Sequence, residues 1–210
     1  MAAFTNHQQI LADAWNQPAH TTLETRPQDV NKILHTWYEV DPLVSLTRGN
    51  VWEMETRKAA DPAKYIPNVV RPGSVEKFPS TYDGQYEYFT RVSDQKVWNH
   101  PTIYTTVIEH VCVDHKNQIA TFIGTDEFTA PDGRTFVCGI DQPLFHVEHG
   151  VSGEDDQPLN TWKIVHLTEK VDPTLTAELK ARSEKGDSLT KYLEVYIQED
   201  LNVRLRHRQP

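Results

Sequence analysis

The chain has 210 residues, 38% of them hydrophobic, which suits one compact domain with a sizeable core. Acidic residues outnumber basic ones by 30 to 21, for a formal charge of −9, and the most basic run is the short "RLRHR" at 204–208, so nucleic acid and anionic membrane are not expected partners. The opening "MAAFTNHQQILADAW" lacks a basic segment leading into an apolar one, and no stretch of about 18 apolar residues occurs, so the expectation is a soluble, cytoplasmic protein.

A short helix is expected over residues 6–16. In "PQDVNKILHTWYEV", Val30, Ile33, Leu34 and Trp37 recur at helical spacing, with proline in the first turn. Pro62, Pro67, Pro72 and Pro79 punctuate residues 61–80, where no regular element is expected. "YDGQYEYFTRVSDQKVW" brings Tyr82, Tyr86, Phe89 and Val92 to one side of a helix. Residues 102–114, rich in β-branched side chains, then open a strand-rich half: the turn "HKNQ", a strand to Phe128, the turn "APDG", and a run broken by Pro143, where an edge, a bulge or a bend is expected. "GVSGEDDQPLN" reads as a polar loop and "TWKIVHLTEKV" as the last strand. "DPTLTAELKARSEKG" starts with an Asp cap and ends on glycine, and a final helix over 188–203 puts Leu189, Tyr192, Leu193, Tyr196 and Ile197 on its apolar side. The pattern predicts an α+β fold in which a curved antiparallel sheet wraps around helices: a single domain with its core at about 27–173 and a helical extension over 174–210.

Cys112 and Cys138 fall in separate predicted strands without CxxC spacing, as expected of reduced thiols, a cross-strand disulfide being the alternative. Strand parity places Asp126 on a face with Phe122, Gly124 and Phe128, so it is either a pocket acid or the partner of an Arg or Lys. His110 and Tyr104 share a face with Ile108, while Glu109 lies opposite; the pair can donate to a developing oxyanion or belong to a satisfied core. His166 shares a face with Trp162 and Ile164. In "HVEH" the odd spacing sends His146 and His149 to opposite faces of a strand, which excludes them as a metal pair, and no HExxH, Cys/His cluster or oxygen-rich loop suggests another metal site. GxGxxG, Walker and GxSxG motifs are absent, leaving cofactor-free acid/base chemistry.

The stretches "TTVIEHVCVDHKNQIATFIGTDEFTAPDGRTFVCGIDQPLFHVEHG" and "TWKIVHLTEKVD" resemble the nuclear transport factor 2-like superfamily, in particular its SnoaL-like polyketide cyclases. The resemblance covers residues 82–173, with 27–55 matching more loosely. It implies a cone-shaped α+β fold whose cavity hosts cyclases, isomerases, dehydratases and epoxide hydrolases, commonly as homodimers without a cofactor. It further implies acid/base roles for Asp126, for Glu169 near the end of the last strand, and for Asp141 in "CGID". Gly124 stands where the epoxide hydrolases of that group carry arginine, which argues against epoxide opening. Taken from the residues alone, Asp141 is a turn or bulge acid and Glu169 a solvated strand end. The catalytic candidates are thus Asp126, Asp141, His110, Tyr104 and Glu169, with Phe122, Phe128, Trp52, Tyr86, Phe89 and His166 lining a pocket for a hydrophobic, oxygenated, ring-bearing substrate. The expected activity is cyclisation, isomerisation or elimination; the alternative is a binding or dimerisation module on the same fold.

Overall fold

The computed structural model describes residues 6–185 and 187–208, apart from the side chains of residues 79, 80, 179, 182–185 and 187–190. In chain order the elements are α1 (His7–Trp15), β1 (Thr21–Glu24), β2 (Gln28–Asp29), α2 (Val30–Trp37), β3 (Tyr38–Asp41), α3 (Arg48–Ala60), α4 (Pro62–Tyr65), β4 (Glu76–Tyr82), β5 (Tyr86–Val97) and β6 (His100–Asp114). They continue with β7 (Ile119–Thr125), β8 (Glu127–Thr129), β9 (Thr135–Val137), β10 (Phe145–Gly153), β11 (Pro158–His166), α5 (Pro173–Lys185), α6 (Asp187–Val195), a π-helical turn (Tyr196–Asp200) and β12 (Arg204–His207).

The architecture is α+β, dominated by one antiparallel sheet of order β1-β11-β10-β7-β6-β5-β4, with β2 also paired to β11. The sheet is not a closed barrel: β1 and β4 are its edges. One face is covered by α1, whose Leu11 and Ala14 pack on Ile123 and Val165. The other, here called the inner face, packs against α2, α3 and α6 through the main core, which includes Leu34, Val51, Met54, Phe89, Val111, Phe122, Val147, Ile164, Leu193 and Tyr196.

Local chemistry sets several boundaries. The Asp29 carboxylate accepts from Lys32 N (2.9 Å) at the start of α2, and α3 opens with a reciprocal capping box between Thr47 and Asn50. Asp172 accepts from the backbone N–H groups of Thr174 and Leu175 ahead of α5, as its place in the sequence predicts. Asp114 accepts from the N–H groups of Lys116 and Asn117 and closes the β6–β7 turn.

Four expectations are corrected. The segment from residue 82 is not a helix; β5 is a 12-residue strand paired with β6 along its length. Its alternation was hidden because Arg91, Ser93 and Gln95 occupy the inward positions that usually carry apolar residues. Residues 61–80 hold α4 and most of β4, with Pro79 on the edge strand, where a missing donor is tolerated. The "GVSGEDDQPLN" stretch is largely the β10–β11 hairpin, continuous from Phe145 to His166 except for a short turn. The sheet also begins before α2, since β1 pairs with β11, and "TWKIVH" is not the last strand because β12 pairs with β3. Both cysteines are free. Among the described residues no helix is long and apolar enough to cross a membrane.

Candidate functional site

Buried charge, rather than surface acid, marks the inner face. Glu55 and Lys58 stand one turn apart on α3, with Lys58 Nζ 2.7 Å from Glu55 Oε2 and side-chain exposures of 5% and 1% for Lys58 and Glu55. His149, which β10 turns inward, places Nδ1 3.2 Å from Lys58 Nζ and 3.4 Å from Glu55 Oε2. Asn160 of β11 donates to Glu55 Oε1 (2.8 Å) and accepts from the Tyr192 hydroxyl (3.3 Å), while Lys58 Nζ sits 3.9 Å above the Tyr192 ring. Beside this group lies a second pair: Arg91 Nε donates to Glu109 Oε2 at 2.8 Å, Gln95 Nε2 donates to the same oxygen, and an Arg91 terminal nitrogen donates to the Ala59 carbonyl at 2.6 Å.

Burial sets the protonation states here. It pulls the Lys58 ammonium below its ordinary range, opposed by the Glu55 carboxylate. It pushes His149 well below its ordinary value, assisted by the Lys58 and Arg91 charges, so the imidazole is neutral. Nδ1 then accepts from Lys58 and the ring proton sits on Nε2. Burial raises the Tyr192 hydroxyl well above its usual range, and it remains a donor. Aromatic rings enclose the group: Phe122 edge-on to His149 (5.6 Å), Arg91 over Phe122 (4.6 Å), and Trp162 at 6.4 Å from His149. The arrangement offers a proton donor and a proton acceptor in contact, backed by a carboxylate that is itself held by Asn160.

The sequence-predicted residues divide between the two faces and the surface. Phe122 and Phe89 lie on the inner face, Trp52 faces the same core from α3, and His166 lies farther along β11 on that face. His110, Tyr104, Phe128 and Tyr86 are on the opposite face, a correction to their placement in the pocket. His110 Nδ1 is 2.8 Å from Thr90 Oγ1 and its ring meets Phe128, burial pushing its pKa down to about 4. Tyr104 lies under the Arg71 guanidinium at 4.5 Å. Tyr86 lines an outer groove of about 300 Å³ with His7, Tyr88 and Cys112. The parity linking Tyr104 to His110 is correct, but their wall is the outer one.

The three carboxylates are exposed, another correction. The chain bends at Asp126 between β7 and β8, so Phe122 and Phe128 end on opposite faces and the acid projects into solvent. Asp141 is exposed and accepts from Thr105 Oγ1 (2.8 Å), and Glu169 follows β11 on the surface. Glu55, Lys58, Arg91, His149, Asn160 and Tyr192 were missed as site residues. Parity did separate Glu109 from His110 and His149 from His146, and that separation was the available signal. Among the described residues no cluster of three or more His, Cys, Asp or Glu side chains suits a metal ion.

The antiparallel sheet with its buried polar face closed by helices is a fold shared with a solved aromatase/cyclase. The chain is similar to the Zhui aromatase/cyclase from Streptomyces sp. R1128, with TM-score 0.50 and 13% identity over 85% of this chain and 95% of that one. It also resembles Ara h 8.0201 (TM-score 0.49, 9% identity, 85% and 97% covered) and ginseng major latex-like protein 151 from Panax ginseng (TM-score 0.47, 12% identity, 85% and 97% covered). No family model matches the sequence, and no curated protein matches it.

Proposed function

We propose that the protein binds a hydrophobic, oxygenated, ring-bearing small molecule between the sheet and the helices and eliminates water from it by cofactor-independent acid/base chemistry. The reading includes the sheet curving as a cone around α3, and a lyase, isomerase or cyclase type of activity in the cytoplasm. The observation that carries it is the Glu55–Lys58–His149 contact under aromatic walls. A buried ion pair touching a neutral imidazole is costly to keep for stability alone and well suited to moving a proton. The shared fold with an aromatase/cyclase is in keeping with this choice.

In an elimination from the enol of a β-hydroxy ketone, His149 Nε2–H gives its proton to the leaving hydroxyl as the enol electrons form the new C=C bond, the C–O bond breaks and water departs. Nδ1 takes a proton from the Lys58 ammonium across 3.2 Å. His149 Nε2 next accepts the O–H proton of the former enol, leaving the neutral enone, and Nδ1 returns its proton to Lys58. One relay thus serves both halves and ends as it began. Glu55, held by Asn160, keeps Lys58 in place and charged between turnovers, and Arg91 adds positive potential beside the ketone oxygen. The outward-facing Asp126, Asp141 and Glu169 have no part in it.

3-Hydroxy-1-tetralone, which loses water to give 1-naphthol, is the test substrate. Wild-type protein should speed this loss, and His149→Gln should lower the rate by about 10²-fold or more while still binding 1-naphthol. A specific observation favours a second reading, a binding module: the network's polar groups satisfy one another, as a purely structural cluster also requires. Binding of 1-naphthol with no acceleration above buffer would establish that reading and end the catalytic one.

A further inference from the structure

At the far end of the inner face lies a polar group that the relay leaves unused. His166 is fully buried, with no hydrogen-bond partner among the described residues for Nδ1 or Nε2. Its ring is enclosed by Trp98, edge-on at 5.8 Å, and Phe145 at 5.3 Å. Gln142 is tied to the same tryptophan: its Oε1 accepts from the Trp98 backbone N–H (3.1 Å), while its Nε2 is buried and, among the described residues, unpartnered. A cavity of about 10 Å³, lined by Thr105, Gly124, Gln142, Leu144 and Phe145, adjoins it. That is the space one oxygen atom requires. Leaving such groups unpaired is costly, so a fold retaining three unpaired nitrogens here calls for a reason.

The position supplies one. Trp162 and His149 face each other across β11 and β10, as do His166 and Phe145, four residues farther along each strand. Four residues of strand span about 13 Å. Trp98 lies 6.2 Å from Trp162, so aromatic rings run without a break from the relay to His166. Trp98 itself sits on the β5–β6 turn and is only half-buried, which makes it the group a ligand would displace.

Building on the proposed function, we infer that His166 and Gln142 form a second anchor for the same ligand, recognising a hydroxyl or carbonyl oxygen on the ring farthest from the relay. The ligand class is therefore an elongated aromatic molecule oxygenated at both ends, admitted past Trp98. The Gln142 amide donates to this oxygen, and His166 donates to a carbonyl or accepts from a hydroxyl. Burial pushes the His166 pKa down to about 4, so near neutral pH the ring offers one donor and one acceptor.

Calorimetric titration with 2,6-dihydroxyanthracene and with 2-hydroxyanthracene tests this on the full chain. Wild-type protein should prefer 2,6-dihydroxyanthracene by tenfold or more, since a site built for a hydroxyl penalises the analogue lacking it. His166→Phe, which keeps a ring but removes both nitrogens, should bring the two affinities within about twofold, and Gln142→Met should remove part of the preference, deciding the matter if His166→Phe does not fold. The preference should survive in His149→Gln, which separates this anchor from the relay. An undiminished preference in His166→Phe and Gln142→Met, or none in wild type, overturns the second anchor while 3-hydroxy-1-tetralone turnover leaves the proposed function standing. Failure of both probes to bind overturns the two together.

Discussion

Lys58 and Glu55 are so deeply placed that neither can be removed without leaving the other's charge stranded. Lys58→Met should therefore cost about 3–5 kcal/mol in a denaturant melt, whereas the double variant Lys58→Met/Glu55→Gln should regain most of that loss. Equal losses in the two proteins would show that the pair contributes packing and not charge. The buried histidines make stability depend on pH with a definite sign. His166 is neutral in the folded protein down to about pH 4, whereas the unfolded chain takes up its proton near the ordinary value of 6.5. The unfolded state thus binds more protons in this window, so stability is full above about pH 6.5 and is lost as the pH falls towards 4. His110, His146 and His149 are shifted in the same direction and add to the slope. His166→Phe should give a shallower decline in chemical denaturation between these pH values, and an unchanged slope would contradict its neutral burial.

The elements carry the record of what could be read from the sequence. β6, β7 and the stretches of β10 and β11 flanking the expected loop were legible where alternation was kept, and α2 was legible because Val30 and Leu34 are buried one turn apart. Two elements that carry site residues escaped: β5 was expected as a helix, and α3 was not expected at all. Both fail for one physical reason. Their inward positions hold Arg91, Ser93 and Gln95, and Glu55 and Lys58, so the period that reports a buried face is interrupted where the face is chemically active. The bend at Asp126 is a different failure, since parity cannot be carried across a break in the strand. Gly124 gives the element scale a sharp test: a Cβ there would lie 2.4 Å from the Phe145 carbonyl oxygen, in the β10 segment that leads to the anchor. Gly124→Ala should lower stability by about 1–3 kcal/mol and weaken 1-naphthol binding, read by thermal melting and titration. Thr47→Ala, which removes the cap of the relay helix, should cost about 1 kcal/mol.

Across the whole molecule, the C-terminal segment is part of the core and not an attachment to it. Tyr192, Leu193, Tyr196 and Ile197 are buried within the chain, as their spacing suggested, whereas the side chain of Leu189 lies outside the described residues. Asp200 pairs with Lys64 (2.7 Å) and Arg57 (3.2 Å) and accepts from the Tyr65 hydroxyl; burial pushes its carboxyl up, but Lys64 and Tyr65 outweigh that and hold it below its ordinary value. Deleting residues 188–210 should abolish the cooperative melt, and a stable monomer by light scattering would instead assign the helix to a subunit interface. Pairing between distant parts of the chain has a further consequence, for the order in which the protein is made. β1 must wait for β11, and β3 for β12, before either has a neighbour in a sheet. On the ribosome the first sixty residues, Glu55 and Lys58 among them, emerge long before Asn160 and Tyr192 exist to receive them. Such distant closures fold slowly. The relay is therefore assembled last, so a prematurely released chain retains its charged helix without the strands that bury it and is a natural substrate for chaperones and proteases.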